Sequence, residues 1–335
     1  MRSLSLALAL KDLGHDVVFF CADLPGNIAG QVESAGFNVH MLPNVSKSHY
    51  DFDEVQDAGF FLDEIASGKY TPHWVVIDHY DIGDQWHDIV AGMGALIAVI
   101  DDLANRKLSC DLLVDQNQIA SIHARYDALV QFECRKLLGP EYTLLRPEFR
   151  HVREHRDRHK AMLSREGFII VFLGGADNQG LTLRVIRSCQ ELFPEETLHV
   201  LTGSMNSYKN AITEFCDKHD ITCSVGHIDI GTLLPRSKAA IIACGMFAVE
   251  LQAMDIPSLL VPLSDIQETV ADFFVRNGKA VKILPDELEV RDKFYLALQS
   301  VLVFPEKTGT DSPIPLDGPF RIASAMQELH ICQTA

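Results

Sequence analysis

The sequence predicts an α/β protein built of two doubly wound, parallel-sheet domains. Three observations predict it. Short apolar runs with no polar face, at residues 74–78, 95–100, 168–173 and 239–243, read as buried parallel strands. Helical stretches separate them, so strand and helix alternate along both halves. Between the halves, residues 151–160 are almost wholly charged or histidine, the composition of an exposed linker. The expected division is 1–150 and 151–335, with the last helix a candidate to pack back on the first domain. At 335 residues the chain can bury a core in each.

Residues 4–13 read as a helix stopped by Gly14, and 15–20 as the strand after it. Opening on a helix leaves the first domain apparently without an initial strand, which in a doubly wound sheet is usually central. A helix end at 31–35, a strand at 37–42 and an acidic helix at 53–66 follow. Residues 74–78 form a strand ending in His79 and Tyr80, 84–91 a helix, 95–100 a strand ending in Asp101 and Asp102, and 112–114 a strand ending in Asp115, Gln116 and Asn117. Polar residues thus collect at the carboxyl ends of the strands, the edge where open α/β sheets bind ligands. In the second half, the strand at 168–173 leads into Gly174 and Gly175, and 181–192 is a helix. The strand at 199–202 turns at Gly203 into a helix at 206–219. The strand at 222–225 precedes Gly226, His227 and Ile228. Residues 290–303 and 321–330 read as helices, on either side of a turn-rich stretch at 305–319.

The most informative stretch is 241–267. Its strand runs into Gly245, which permits a tight turn into a helix, and Glu250 follows about one turn in. The next strand, 258–261, leads to Asp265, Ile266 and Gln267. Two strand ends and one helix start therefore converge on one crevice. Helix N-termini favour phosphates. A carboxylate only accepts hydrogen bonds, so Glu250 suits a pair of ribose hydroxyls. Together these features suggest a nucleotide or nucleotide-sugar. On the plainer reading Gly245 is only a turn and Glu250 a solvated helix face, and the stretch alone leaves both readings open.

Composition narrows the classes. A net charge of −17 argues against non-specific binding to nucleic acid or acidic membranes, though not against a nucleotide. Eight cysteines occur without a C-x-x-C pair, several inside apolar runs, as expected of reduced, buried thiols in the cytoplasm. No apolar run reaches membrane-spanning length, so no stable membrane insertion is expected. Residues 1–10 imitate a signal peptide, but the apolar core is short and Lys11 and Asp12 follow with no cleavage site. His151, His155 and His159 lack metal-ligand spacing, so no metal is expected, and nothing calls for a cofactor.

Several strings carry a resemblance: Val76-Ile-Asp78-His79-Tyr80, Asp101-Asp102-Leu-Ala-Asn105-Arg106, 110–117, 138–142 with 145–149, and Phe172-Leu-Gly174-Gly175-Ala-Asp177. Over nearly the whole chain the sequence resembles the UDP-2,4-diacetamido-2,4,6-trideoxy-β-L-altropyranose hydrolases of pseudaminic acid biosynthesis. These are similar to the GT-B glycosyltransferases that make lipid II. The resemblance implies a GT-B-like fold, two Rossmann-like domains with a UDP-sugar in the cleft between them, UDP mainly on the second and the sugar facing the first. It implies metal-independent hydrolysis with inversion, water attacking the anomeric carbon and UDP leaving. The implied substrate contacts are Arg2, His79, Tyr80, Gly174, Gly175, Gly203, the backbone at Ile228, Gly245, Glu250 and Gln267. The family's base is a histidine in an N-terminal Gly-x-Gly-His-x-x-Arg loop. Met1 and Arg2 look like the end of that loop, which puts the expected base upstream of Met1 and leaves the catalytic residue unassigned. Poor turnover by the chain as written is the resulting expectation. His15, after the helix, cannot replace the base. The sequence departs from the family at Met246 and Phe247, where small hydroxyl residues are usual, and at Ile266, where the family has Asn.

The residues also admit plainer roles. Tyr80 contacts sugar or packs, and Asp78 and His79 could cap the next loop. Asp101, Asp102, Asn105 and Arg106 bind ligand, or an Asp–Arg pair fixes the loop. Gly174 and Gly175 let amides approach a diphosphate or simply turn the chain. For the whole protein, two rivals stand beside the hydrolase: a GT-B glycosyltransferase of surface polysaccharide synthesis, and a non-catalytic UDP-sugar-binding protein. Oligomeric state is not legible.

Overall fold

The computed structural model describes the chain except for residues 25–26, 46–51, 118–121, 151, 155–166, 227–228, 277–279, 304–313 and 335. Most of the charged stretch at 151–160 and its three histidines therefore lie outside the described residues. The chain forms two compact units, Met1–Arg146 with Asp317–Ala335, and Pro147–Leu316.

The first unit runs α1 (Arg2–Asp12), β1 (Val18–Ala22), α2 (Ala29–Ser34), β2 (Asn38–Leu42), α3 (Glu54–Ser67), β3 (Trp74–Ile77), α4 (Asp84–Ala91), β4 (Leu96–Ile100), β5 (Leu112–Asp115) and β6 (Arg135–Leu138). β1 pairs with β2, and β3 to β6 form a second sheet in chain order, with every pairing parallel. All five residues of β4 are buried, which its continuous apolar sequence requires. Side chains alternate across the sheet. Ile97, Val99 and Leu113 meet Phe61 and Ile65 of α3 and Trp86 and Val90 of α4. Ala98, Ile100, Leu112 and Val114 face the other way, onto Leu6 of α1 and Ile322, Ala323 and Met326 of the C-terminal helix, Gly318–Thr334. Each large aliphatic side chain so buried stabilises by about 1.5–3 kcal/mol. The C-terminal helix sits in the first unit because that sheet face is apolar and needs a second cover beside α1. β6 has no counterpart among the strands expected from sequence. It is four residues long and begins with Arg135 and Lys136, and Arg135 forms an ion pair with Glu328 of the C-terminal helix.

The second unit contains β7 (Phe168–Phe172), α5 (Leu181–Leu192), β8 (Leu198–Thr202), α6 (Lys209–Lys218), β9 (Thr222–Val225), α7 (Ile230–Leu233), β10 (Ser237–Ala243), α8 (Met246–Ala253), β11 (Ser258–Val261), α9 (Asp265–Arg276), β12 (Ala280–Lys282) and α10 (Arg291–Leu302). Its six strands are all parallel, in the order β12-β11-β10-β7-β8-β9. The chain steps outward from β7 to β9, then returns to the other side of β7 and steps out again. The direction reverses between β7 and β10, and doubly wound sheets bind ligands at the carboxyl end of such a switch. Ile169, Val171, Ile241 and Leu259 of the strands share a core with Val185 and Ile186 of α5, Ile212 of α6 and Phe294 and Leu298 of α10. α6 starts three residues later than expected. Asn206 is occupied with the preceding turn, donating to the Thr202 hydroxyl and accepting from the Tyr208 N–H. β12, three residues long, was not anticipated either. Among the described residues no helix is long and apolar enough to cross a membrane.

Candidate functional site

The carboxyl ends of β3, β4 and β5 in the first unit carry Asp78, Asp101 with Asp102, and Asp115. Arg2 joins the first two. Its Nε donates to Asp78 Oδ1 at 2.8 Å and its Nη1 to Asp102 Oδ2 at 2.9 Å. Ser3 donates its hydroxyl to Asp78. Asp78 thus fastens the first turn of α1 and does not cap the loop after β3. Burial works against the charge of Arg2, but the carboxylates of Asp78 and Asp102 outweigh it and hold the guanidinium protonated. The side chain that the resemblance assigns to substrate is therefore committed to two carboxylates.

Asp101 is buried, and it accepts from Arg106 Nη1 at 2.7 Å, Tyr126 Oη at 2.9 Å and the Ala104 N–H at 2.8 Å. Burial alone would raise its pKa, yet these donors bring it below the usual carboxylate value. Arg106 also donates to the carbonyls of Ile82 and His79, so the Asp–Arg pair fixes the loop, the plainer of the two readings. Arg125 does the same one strand over. It pairs with buried Asp115 at 2.8 Å and donates to the carbonyls of Asp102 and Leu103. Asp115 is pushed up by burial. Tyr126 reaches Asp115 as well, at 3.0 Å, so one phenol proton serves two carboxylates. Sequence reasoning missed Arg125 and Tyr126. They lie in an irregular segment with no period to mark them.

His79 accepts from the Asp81 N–H at 3.2 Å and packs on Phe52 with ring centroids 5.0 Å apart, the loop-capping role. Tyr80 is about half exposed. Its hydroxyl donates to Asp102 Oδ2 at 3.3 Å, and Arg2 lies 5.6 Å from its ring centroid. Of the three expected contacts in this unit, Tyr80 is the one that offers substantial surface.

The second unit's edge is built from glycines. Gly174 follows β7 with a φ of +100°, a left-handed conformation that favours glycine. A Cβ on Gly203, after β8, would lie 2.1 Å from the Gly175 carbonyl oxygen, so only glycine lets these loops meet. Gly245 follows β10, which neighbours β7 with Ile242 opposite Phe172. The switch point therefore brings Gly174, Gly175 and Gly245 to one edge, with Gly203 against Gly175. Glu250 is part-buried on α8. Phe247 packs edge-on against Phe172, centroids 5.7 Å apart, where the resemblance leads one to expect a hydroxyl. Gln267 Oε1 accepts from the Leu263 N–H at 3.0 Å and so holds its own loop, while Ile266 beside it is exposed. Ile228 and His227 lie outside the described residues.

Two helices begin at this edge, and they differ. At α5, Asp177 is buried and its carboxylate accepts from the Leu181 and Thr182 N–H groups, both at 2.9 Å. That carboxylate already neutralises the helix terminus and would repel a phosphate. At α8, Gly245 is the N-cap and supplies no side-chain cap. The two helix starts therefore differ: α5 carries a carboxylate on its first amides, and the N-cap residue of α8 brings no side chain to its own. Among the described residues no group of three or more His, Cys, Asp or Glu side chains could hold a metal ion.

No protein-family profile matches the chain, and no curated protein matches it. Solved structures do. MurG of Acinetobacter baumannii matches with a TM-score of 0.63 at 13% identity, covering 98% of this chain and 95% of that one. LpCGTa in complex with UDP matches at 0.60 and 12% identity, over 98% and 90%. The spinosyn rhamnosyltransferase SpnG complexed with thymidine diphosphate matches at 0.57 and 13% identity, over 99% and 92%. At these identities the likeness is one of fold, and the fold is that of the GT-B glycosyltransferases: two Rossmann-like α/β domains with parallel sheets.

Proposed function

We propose that the chain is a glycosyl-transferring enzyme that takes its sugar from a nucleoside diphosphate, UDP being the nucleotide we favour. The observation that carries this reading is the fold likeness to glycosyltransferases over nearly the full length of the chain and its neighbours. The second unit's edge supports it chemically. The diphosphate sits over the N-terminus of α8 at Gly245, beside the backbone of Gly174 and Gly175. Glu250 accepts from the ribose hydroxyls. The charge that grows on the diphosphate as the glycosidic bond breaks meets the positive end of α8, which stabilises the transition state. The proton of the acceptor hydroxyl needs a base, and no residue is assigned to it. In the first unit Tyr80 supplies a polar surface for a sugar.

Hydrolysis, in which water is the acceptor, is the second reading. The Asp101–Arg106 string favours it through its resemblance to the UDP-sugar hydrolases. UDP release from a panel of UDP-sugars separates the two. Release only when an acceptor saccharide or lipid is added supports transfer, and equal release in buffer alone supports hydrolysis. No release with any UDP- or TDP-sugar, with or without acceptor, would overturn the enzyme reading.

A further inference from the structure

Cys110 and Cys134 stand just before β5 and β6, two adjacent strands, with their sulfurs 3.6 Å apart. Both thiols are free, and both residues are only 6% exposed. The backbone around them is well tied. The Cys110 N–H donates to Gln131 Oε1 at 3.2 Å, the Cys134 N–H donates to the Gln131 carbonyl at 3.2 Å, and the Arg135 N–H donates to the Asp111 carbonyl at 2.9 Å. Two nucleophilic side chains are thus held face to face by a fixed backbone, away from the carboxyl edge that carries the polar network. The residues between them include Asp115, Arg125 and Tyr126, which hold that network together.

We propose that Cys110 and Cys134 form a reversible thiol–disulfide site whose oxidant is a small disulfide such as oxidised glutathione. The bond would staple the start of β5 to the start of β6 around the segment that carries Arg125 and Tyr126. The sulfur–sulfur contact lets either thiol donate to the other, so ionisation of one is stabilised by its neighbour. The thiolate of one cysteine attacks one sulfur of the oxidant and expels one glutathione, which takes up a proton. The other cysteine then loses its proton to solvent and displaces the second glutathione, which is protonated in turn, forming the protein disulfide. Two electrons pass from the cysteine pair to the oxidant, and two glutathione thiols are released. A staple of this kind removes freedom from the unfolded chain, so the oxidised form melts higher.

The test is to incubate the full chain with oxidised glutathione, acid-quench, alkylate free thiols in denaturant and map the peptides. Exposed Cys332 serves as the internal control for access of the oxidant. The expected result is a peptide pair cross-linked through Cys110 and Cys134, cleaved by dithiothreitol, together with a melting temperature several degrees above the reduced protein. Cys134→Ser should abolish the cross-link and the shift, and Cys332→Ser should leave both. Recovery of Cys110 and Cys134 as alkylated thiols, or as separate glutathione adducts, in a sample whose Cys332 has reacted would overturn the proposal. The wild-type map decides this even if the serine variant fails to fold.

Discussion

The carboxyl edges of the two units are made of opposite materials. In the first unit, Asp78, Asp101, Asp102 and Asp115 project from successive strands, and Arg2, Arg106, Arg125 and Tyr126 engage them. In the second, the strand ends give way to Gly174, Gly203 and Gly245, and the N-terminus of α8 has no side-chain cap. The difference teaches that polar residues at a strand end do not by themselves mark a ligand. Where they already satisfy one another they build the scaffold. Where the strand ends are glycines and the N-cap residue brings no side chain, the edge leaves room for a charged ligand.

This contrast predicts different costs for breaking each edge. The largest belongs to the first unit. Asp101→Ala strips Arg106 of its buried partner, and removing one member of a buried ion pair typically costs about 3–5 kcal/mol. Urea unfolding should show that loss. Asp101→Asn, which keeps an acceptor for Tyr126 and Ala104, should lose less. A cost under about 1 kcal/mol would mean that the network is not structural.

Next comes a titration. His87 is fully buried on α4, and its Nδ1 accepts from the Ser109 N–H at 3.2 Å, which puts the neutral ring's proton on Nε2. Burial, with Arg106 nearby, lowers its pKa to about 4. Between about pH 6.5 and about pH 4 the unfolded chain binds a proton that the folded chain refuses. Stability should therefore fall as pH falls across that window, by about 3 kcal/mol in all, since each pH unit within it contributes about 1.36 kcal/mol. His87→Asn keeps an acceptor for Ser109. Comparing its stability with wild type at pH 7 and pH 4.5 should show a flatter dependence in the variant, and identical slopes would remove His87 as the cause.

A smaller effect sharpens the contrast between α5 and α8. Asp177→Ala should cost about 1 kcal/mol, since the Leu181 and Thr182 N–H groups lose the carboxylate that accepts from them. It also uncovers the α5 amides, so sulfate should raise the melting temperature of the variant more than that of wild type. An equal response would show that the carboxylate does not exclude anions.

The alternation of apolar runs and helices was readable because each buried parallel strand is a continuous apolar string, as at β4 and β7. The glycine turns were readable too, since a left-handed Gly174 and a close approach at Gly203 leave no other residue type. Pairings made across long stretches of chain were not. Nothing near Asp101 announces Tyr126, and Arg2 reaches Asp102 across the sheet edge. Asp177 shows the limit most plainly. In sequence it completes a glycine-rich string that reads as a phosphate cradle, yet in space its carboxylate closes the helix that the string introduces. The short edge strands β6 and β12 escaped because three or four residues hold no measurable period, and β6 opens on two cations.

The central claim is that a nucleoside diphosphate occupies the glycine edge of the second unit, with Glu250 on its ribose. Titration calorimetry of UDP into wild type and Glu250→Ala tests it most directly. If the carboxylate accepts from the ribose hydroxyls, its loss should weaken binding by about 1.5–3 kcal/mol, or roughly 10- to 150-fold in Kd. Equal Kd values for the two proteins, or no heat of UDP binding in the wild type, would contradict it.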